Sequence, residues 1–388
     1  MTPHVPSRLP DVGTTIFTVM SRRAVEEGAL NIGQGFPDYP VDPLLAELIA
    51  AAVRDGHNQY APMEGSIALR EQIARKLRLT YGCDVDPMRE VTITCGATEA
   101  LYDAIQTVIG AGQEAILFDP AYDAYEPAVR LAGGRCVRIP LQPPAFAYDW
   151  ERVRAAINDR TRLIIVNSPQ NPCCTLLTHA DREALAALIR DRPIHVLSDE
   201  VYEHVVFDGA THASLLAHPE LRARSFVVFS FGKTLHATGW RTGYCVAPPE
   251  LTLELRKVHQ FNTFSIASPL QEAIARYLAS APAAWQGLAG FFQAKRDLLA
   301  AELAGSALRV QRAQGTYFQL LDYGALHAGD DLSFADRLIR EAKVACIPLS
   351  VFYAQPPRMH LIRVCTAKRD STLIEAARRL REFAARIS

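Results

Sequence analysis

Lys233 is one of only six lysines among 41 basic residues, and it stands in the string Ser230-Phe-Gly-Lys233-Thr, just after the apolar run Phe226–Phe229. An amine attacks only when deprotonated, and desolvation beside other cations lowers a lysine towards that state. The freed amine can also carry a proton between atoms of a bound molecule. Comparable polar residues follow other apolar runs. Gly96-Ala97-Thr98 follows Val91–Cys95 and opens a helical pattern, so its backbone N–H groups suit an anion. Asn171 follows Leu163–Val166 in the string Asn167-Ser-Pro-Gln-Asn171-Pro172. Asp199 and Tyr202 follow His195–Ser198, and Arg241 lies eight residues beyond Lys233. An amine, an acid, a phenol, an amide, a guanidinium and an anion cradle are thus expected to converge. Metal-ligating residues are not clustered at short spacing, so no metal site is expected.

Such convergence needs a scaffold that brings strand ends together. Between residues 90 and 250, short apolar segments alternate with helical patterns, which predicts βαβ units and a largely parallel sheet. The strands predicted are Val91–Cys95, Ala115–Phe118, Leu163–Asn167, His195–Ser198 and Phe226–Ser230. Open sheets of this kind bind ligands beyond the carboxyl ends of their strands. Apolar residues at 97, 100, 101, 104, 105 and 108 predict one helix face, ended by Gly110. Thr178-His-Ala-Asp181 and Ser268-Pro-Leu-Gln271 read as capping boxes. The first 45 residues are rich in Pro and Gly and read as loop. Later segments predict a helix near 282–304, strands around Thr316–Leu321 and Leu361–Val364, and two amphipathic helices. The expected organisation is α/β: a large domain over 46–281, and a smaller α+β domain from 1–45 and 282–388.

Composition narrows the class. With 49% hydrophobic residues among 388, the chain can offset its ordering entropy and fold. A net charge of −1 lacks the basic excess of a nucleic-acid or anionic-membrane binder. No apolar run suits a membrane span, and the first residues lack a secretory apolar segment, so a cytoplasmic protein is expected. The eight cysteines include no CxxC pair and read as buried free thiols.

The string SFGKTLHATGWRTGY (230–244) resembles the lysine signature of the fold type I aminotransferases, which use pyridoxal 5'-phosphate. The resemblance extends from LNIGQGFPDY (30–39) to LIRVC (361–365). It implies the fold of those enzymes, with a mostly parallel central sheet in the large domain. It implies that Lys233 forms a Schiff base with the cofactor aldehyde and moves the substrate proton. Asp199 would pair with the pyridine nitrogen, while Tyr202 and Asn171 would bond the ring oxygen. Gly96, Ala97, Thr98, Ser230 and Arg241 would hold the phosphate, and Tyr122 would stack on the ring. Tyr60 in NQYAP would reach the phosphate of a neighbouring subunit, which implies a homodimer with shared sites. Arg363 would clamp the substrate carboxylate, because a planar fork binds a carboxylate through two bonds. Gly35 would let the backbone approach that same carboxylate.

Within the family, LPDVGTTIF, GQGFPDYP, NQYAPMEG, SDEVYEH, KVHQFNTFS and IPLSVFYA resemble the methionine aminotransferase group, relatives of the kynurenine/glutamine transaminases. Ile16, Phe17, Tyr60 and Phe264 would then line an apolar pocket for methionine or aromatic amino acids, and a 2-oxo acid would take the amine in a ping-pong cycle. Cys173 and Cys174 replace the small residues usual after Asn-Pro, which leaves the loop shape open and places two thiols near the expected cofactor. A carbon–sulfur β-lyase of the same fold is the alternative. A non-catalytic regulator of this fold would carry an added DNA-binding domain. The resemblance begins near residue 10, so no such domain is expected.

Overall fold

The computed structural model describes residues 5–281 and 283–387. Its centre is a seven-stranded sheet. The strands are β1 (Val91–Thr94), β2 (Glu114–Asp119), β3 (Arg135–Pro140), β4 (Thr161–Asn167), β5 (His195–Asp199), β6 (Ser225–Ser230) and β7 (Gly243–Val246). Their spatial order is β1-β7-β6-β5-β4-β2-β3. Strand β7 runs antiparallel to both neighbours, and the pairings from β6 to β3 are parallel.

A sheet covered on both faces must be apolar on both. Ala115, Leu117, Leu163, Ile165, Leu197, Phe226 and Val228 pack into one core. Their alternating neighbours Ile116, Phe118, Ile164, Val166, Val196, Val227 and Phe229 pack into the other. All are buried, and burying one such large side chain stabilises the fold by roughly 1.5–3 kcal/mol. The predicted strands therefore form, with ends shifted by a residue or two. Strands β3 and β7 were not anticipated. The first has exposed or half-buried residues at most positions, and the second lies between turns in a string that reads as motif.

A second, antiparallel sheet comprises Ile347–Pro348, Leu361–Cys365, Phe318–Asp322 and Arg309–Gln311, in that spatial order. The strand expected from Thr316 begins at Phe318, because Thr316 takes a left-handed backbone with φ +68°. The stretch expected as one helix over 282–304 comprises Ala283–Gln286 and Leu288–Glu302. The two amphipathic helices are Asp331–Arg337, which continues as a wider turn through Ala342, and Asp370–Ile387.

Two expectations are corrected. The first 45 residues are not all loop, for Ile16–Glu26 is a helix capped by the Thr15 side chain, with Met20 and Ala24 buried. Its eleven residues lie between Gly and Pro clusters that mask the periodicity. The capping box at Thr178 forms with Asp181. The one at Ser268 does not: Ser268 Oγ donates to the Gln59 carbonyl, and the Gln271 amide bonds Ser66 N and the Ile266 carbonyl. Among the described residues, no helix is long and apolar enough to cross a membrane.

Candidate active site

The carboxyl ends of β4, β5 and β6 meet the second sheet and the helix Ile16–Glu26 around a cavity of about 370 Å³. Ala97, Thr98, Tyr122, Asn171, Asp199, Tyr202, Ser230, Lys233, Arg241, Arg363, Gly35 and Phe17 all line it. These expected residues come from distant parts of the chain, so the sheet and its loops bring them together.

Lys233 sits on the one-turn helix Phe231–Thr234 at the end of β6. Four of the other lysines form ion pairs, and Lys368 donates to the Phe36 carbonyl. Among the described residues Lys233 alone of the six has neither. Its Nζ lies 5.8 Å from the Tyr202 ring centre and 5.6 Å from that of Tyr317. Burial pulls its pKa down to about 8; Cys365 and Asp199 oppose this, while the Arg241 and Arg363 charges add to it.

Asp199 ends β5 and is buried. Burial pushes its carboxyl up to about 6, against the hydrogen bonds from the Tyr125 hydroxyl and the Val201 N–H. Tyr125 Oη donates to Asp199 Oδ2 at 2.6 Å. Asn167 Nδ2 donates to the Asp199 carbonyl at 2.8 Å, and Asn167 Oδ1 accepts from Asn171 N at 2.8 Å. Asn171 in turn accepts from Arg363 Nη1 through Oδ1 at 2.5 Å.

Arg363 is buried on Leu361–Cys365, with its guanidinium carbon 3.8 Å from the Phe318 ring centre. Its Nη2 donates to the Gly33 carbonyl, and its Nε has no partner. Among the described residues it forms no ion pair. A buried cation without an acid is costly, so this site suits an anionic ligand. Gly35 is required for packing as well as access. A Cβ there would stand 2.7 Å from Phe318 Cζ, and Tyr317 Oη donates to the Gly35 carbonyl at 2.6 Å.

The helix Gly96–Val108 begins directly after β1, and Ala97 and Thr98 of its first turn line the cavity. Gly96 has φ +70°, and a Cβ on it would meet Arg241 Nη2 at 2.7 Å. Arg241 Nη2 donates to Thr98 Oγ1 at 3.2 Å, and no acid pairs with it among the described residues. Ser230 makes no capping bond and lines the cavity beside them.

Four expected residues lie elsewhere. Ile16 packs against the core rather than lining the cavity, and Gly96 shapes the cradle from behind Arg241. Tyr60 is 84% exposed and Phe264 45% exposed, with ring centres 5.4 Å apart. Neither reaches this chain's own cavity. Cys173 and Cys174 are buried and do not line it, and burial pushes the Cys174 thiol up to about 12. Both are held as thiols and remain poor nucleophiles. Cys174 takes φ +64° without a glycine's freedom. Gln34, Leu101, Asn167, Val201 and Phe318 were missed as lining residues, as was Tyr125 behind Asp199. Only Asn167 stood at a strand end, where it could have been read. One trio of potential metal ligands, Glu99, Asp103 and His259, lies within 4.8 Å.

The Aminotransferase class I and II family matches residues 27–380. A methionine aminotransferase of Escherichia coli (strain K12) is 50% identical over 382 residues, covering 98% of this chain and 99% of that one. A solved structure from Escherichia coli, described as having a methionine aminotransferase function, superposes with TM-score 0.96 at 50% identity, covering 98% of this chain and all of that one. That of the N-succinyldiaminopimelate aminotransferase from Mycobacterium tuberculosis does so with TM-score 0.93 at 38% identity, over 98% of this chain and all of that one. The two relatives differ in named substrate, so likeness in fold leaves the substrate to the pocket. With its matched span, its fold type I architecture and the lysine at the end of β6, the chain belongs to the class I and II aminotransferase family and is a transaminase.

Proposed function

We propose that the protein is a pyridoxal 5'-phosphate-dependent aminotransferase for methionine and other apolar or aromatic L-amino acids. The observation that carries this reading is one cavity holding a buried acid together with an amine and a buried guanidinium that, among the described residues, pair with no acid. The residues fit the cofactor. Arg241, Ser230 and the amides of Ala97 and Thr98 would hold its phosphate, and Asp199 its ring nitrogen. Tyr202 and Asn171 would bond its ring oxygen, and Tyr122 would stack on its face. When bound, this cofactor supplies a carbonyl for the amine and a ring that accepts electrons from the substrate.

The chain's own groups do the rest. Lys233, with a pKa near 8, is partly neutral at physiological pH and can take the proton from the substrate Cα and return it. Asp199 would keep the ring nitrogen protonated, because a buried carboxylate needs a cation beside it. Arg363, fixed by Asn171 and Gly33, orients the substrate carboxylate. The cations lining the cavity are Lys233, Arg241 and Arg363. Each already has a task, so among the described residues of this chain none remains to bind a side-chain carboxylate. Phe17 and Phe318 give the apolar wall.

Residues 46–281 would form the cofactor-binding unit, and the two ends the wall that carries Arg363. The exposed Tyr60 and Phe264 would complete the partner's site in a homodimer. The free cysteines suit a reducing cytoplasm. A coupled assay of amino donors against 2-oxo acids tests the substrate class. Methionine, phenylalanine or leucine should exceed aspartate at least tenfold in kcat/KM; a preference for aspartate contradicts the reading.

A further inference from the structure

One buried charged cluster has no part in the chemistry above. Glu99 and Asp103 stand on the first two turns of helix Gly96–Val108 and face His259 on helix Pro249–Asn262, and all three are buried. His259 Nδ1 lies 2.7 Å from Glu99 Oε1 and 3.7 Å from Asp103 Oδ2. Its Nε2 lies 2.9 Å from the Met63 carbonyl oxygen. A carbonyl oxygen only accepts, and so does an ionised carboxylate. Both ring nitrogens therefore carry protons, and the ring is a cation with no lone pair for a metal. Burial opposes that charge, but the carboxylates of Asp103 and Glu99 outweigh it and raise the pKa to about 9. The other Glu99 oxygen accepts from Cys95 N, at the very start of the helix. Asp103 Oδ1 accepts from Asn262 Nδ2, while its Oδ2 has no hydrogen-bond partner.

An anionic carboxylate thus stands within one turn of the amides of Ala97 and Thr98. Left bare, it would occupy the positive end of the helix dipole and repel a phosphate dianion through a poorly screening interior. We propose that His259 is a positioning residue that neutralises Glu99, so that the helix start keeps its field for the cofactor phosphate. Its bond to Met63 also ties helix Pro249–Asn262 to the segment that carries Tyr60. The proposal rests on the reading of that helix start as the phosphate cradle.

The test is the dissociation constant for pyridoxal 5'-phosphate, with inorganic phosphate as competitor, in the full chain and three variants. Gln at 259 can still donate to the Met63 carbonyl. His259→Gln should weaken cofactor binding tenfold or more. Adding Glu99→Gln should restore it to within about threefold of wild type, because the carboxylate at the helix start is gone, while Asp103, a turn further along, keeps its bond from Asn262. Glu99→Gln alone should bind at least as tightly as wild type, which keeps the test open if His259→Gln fails to fold. A thermal midpoint measured alongside should not follow the same order. Equal weakness of the single His259 variant and the double variant would mean packing rather than charge, and overturns the proposal. Undiminished binding by His259→Gln, or weakened binding by Glu99→Gln alone, overturns it too. Failure of the wild-type chain to bind the cofactor would instead sink the cradle reading itself.

Discussion

Tyr125 holds the acid of the site from behind. Its hydroxyl bonds Asp199 at 2.6 Å and favours the charged carboxylate. Tyr125→Phe removes that bond, so the Asp199 pKa rises, and the acid limb of the kcat/KM profile should move to higher pH by about one unit. An unmoved limb would show that Asp199 does not depend on Tyr125. Lys233, Asp199 and Asn171 were legible because each comes soon after a buried run, and a sheet delivers such residues to one edge; Arg241 was legible from its spacing to Lys233. Tyr125 follows no strand directly and reaches Asp199 from the first turn of its own helix, and Gln34 and Phe318 come from segments far from the motif. Their approach is set by packing, and no spacing along the chain encodes it. Phe264 shows the converse, for it matched a family string yet lies outside this chain's own cavity.

At the level of elements, the start of helix Gly96–Val108 couples backbone shape to ligand. Gly96 has a left-handed backbone and no room for a Cβ beside Arg241. Gly96→Ala should therefore displace Arg241 and weaken pyridoxal phosphate binding at least tenfold by equilibrium titration. The accompanying loss of stability should be only about 1–2 kcal/mol, the order of cost of a left-handed non-glycine residue. A variant with native affinity would show that the cradle does not depend on this contact. The helix start at Thr178 was readable because its reciprocal cap with Asp181 is a local signal, whereas the single Thr15 cap of Ile16–Glu26 was not. The failed cap at Ser268 was not, because Gln271 is drawn to Ser66, 205 residues away in sequence. Strand β3 escaped notice because its half-exposed residues lack the continuous apolar run of its neighbours.

The whole molecule presents Tyr60 to solvent while its own cavity lacks that residue, so the proposed active form is a pair of chains. Purified protein should then show twice the 42.8 kDa chain mass by light scattering. Mixed dimers of Lys233→Ala with Tyr60→Ala should regain activity that neither parent has, because one of the two sites holds both native residues. No recovery on mixing would contradict a shared site. The account as a whole turns on the amine of Lys233. Borohydride reduction of the cofactor-loaded protein, followed by peptide mass spectrometry, tests it most directly. The account predicts a pyridoxyl-phosphate adduct on the peptide containing Lys233, absent from Lys233→Ala. An adduct on another lysine, or none at all in wild-type protein, would contradict it.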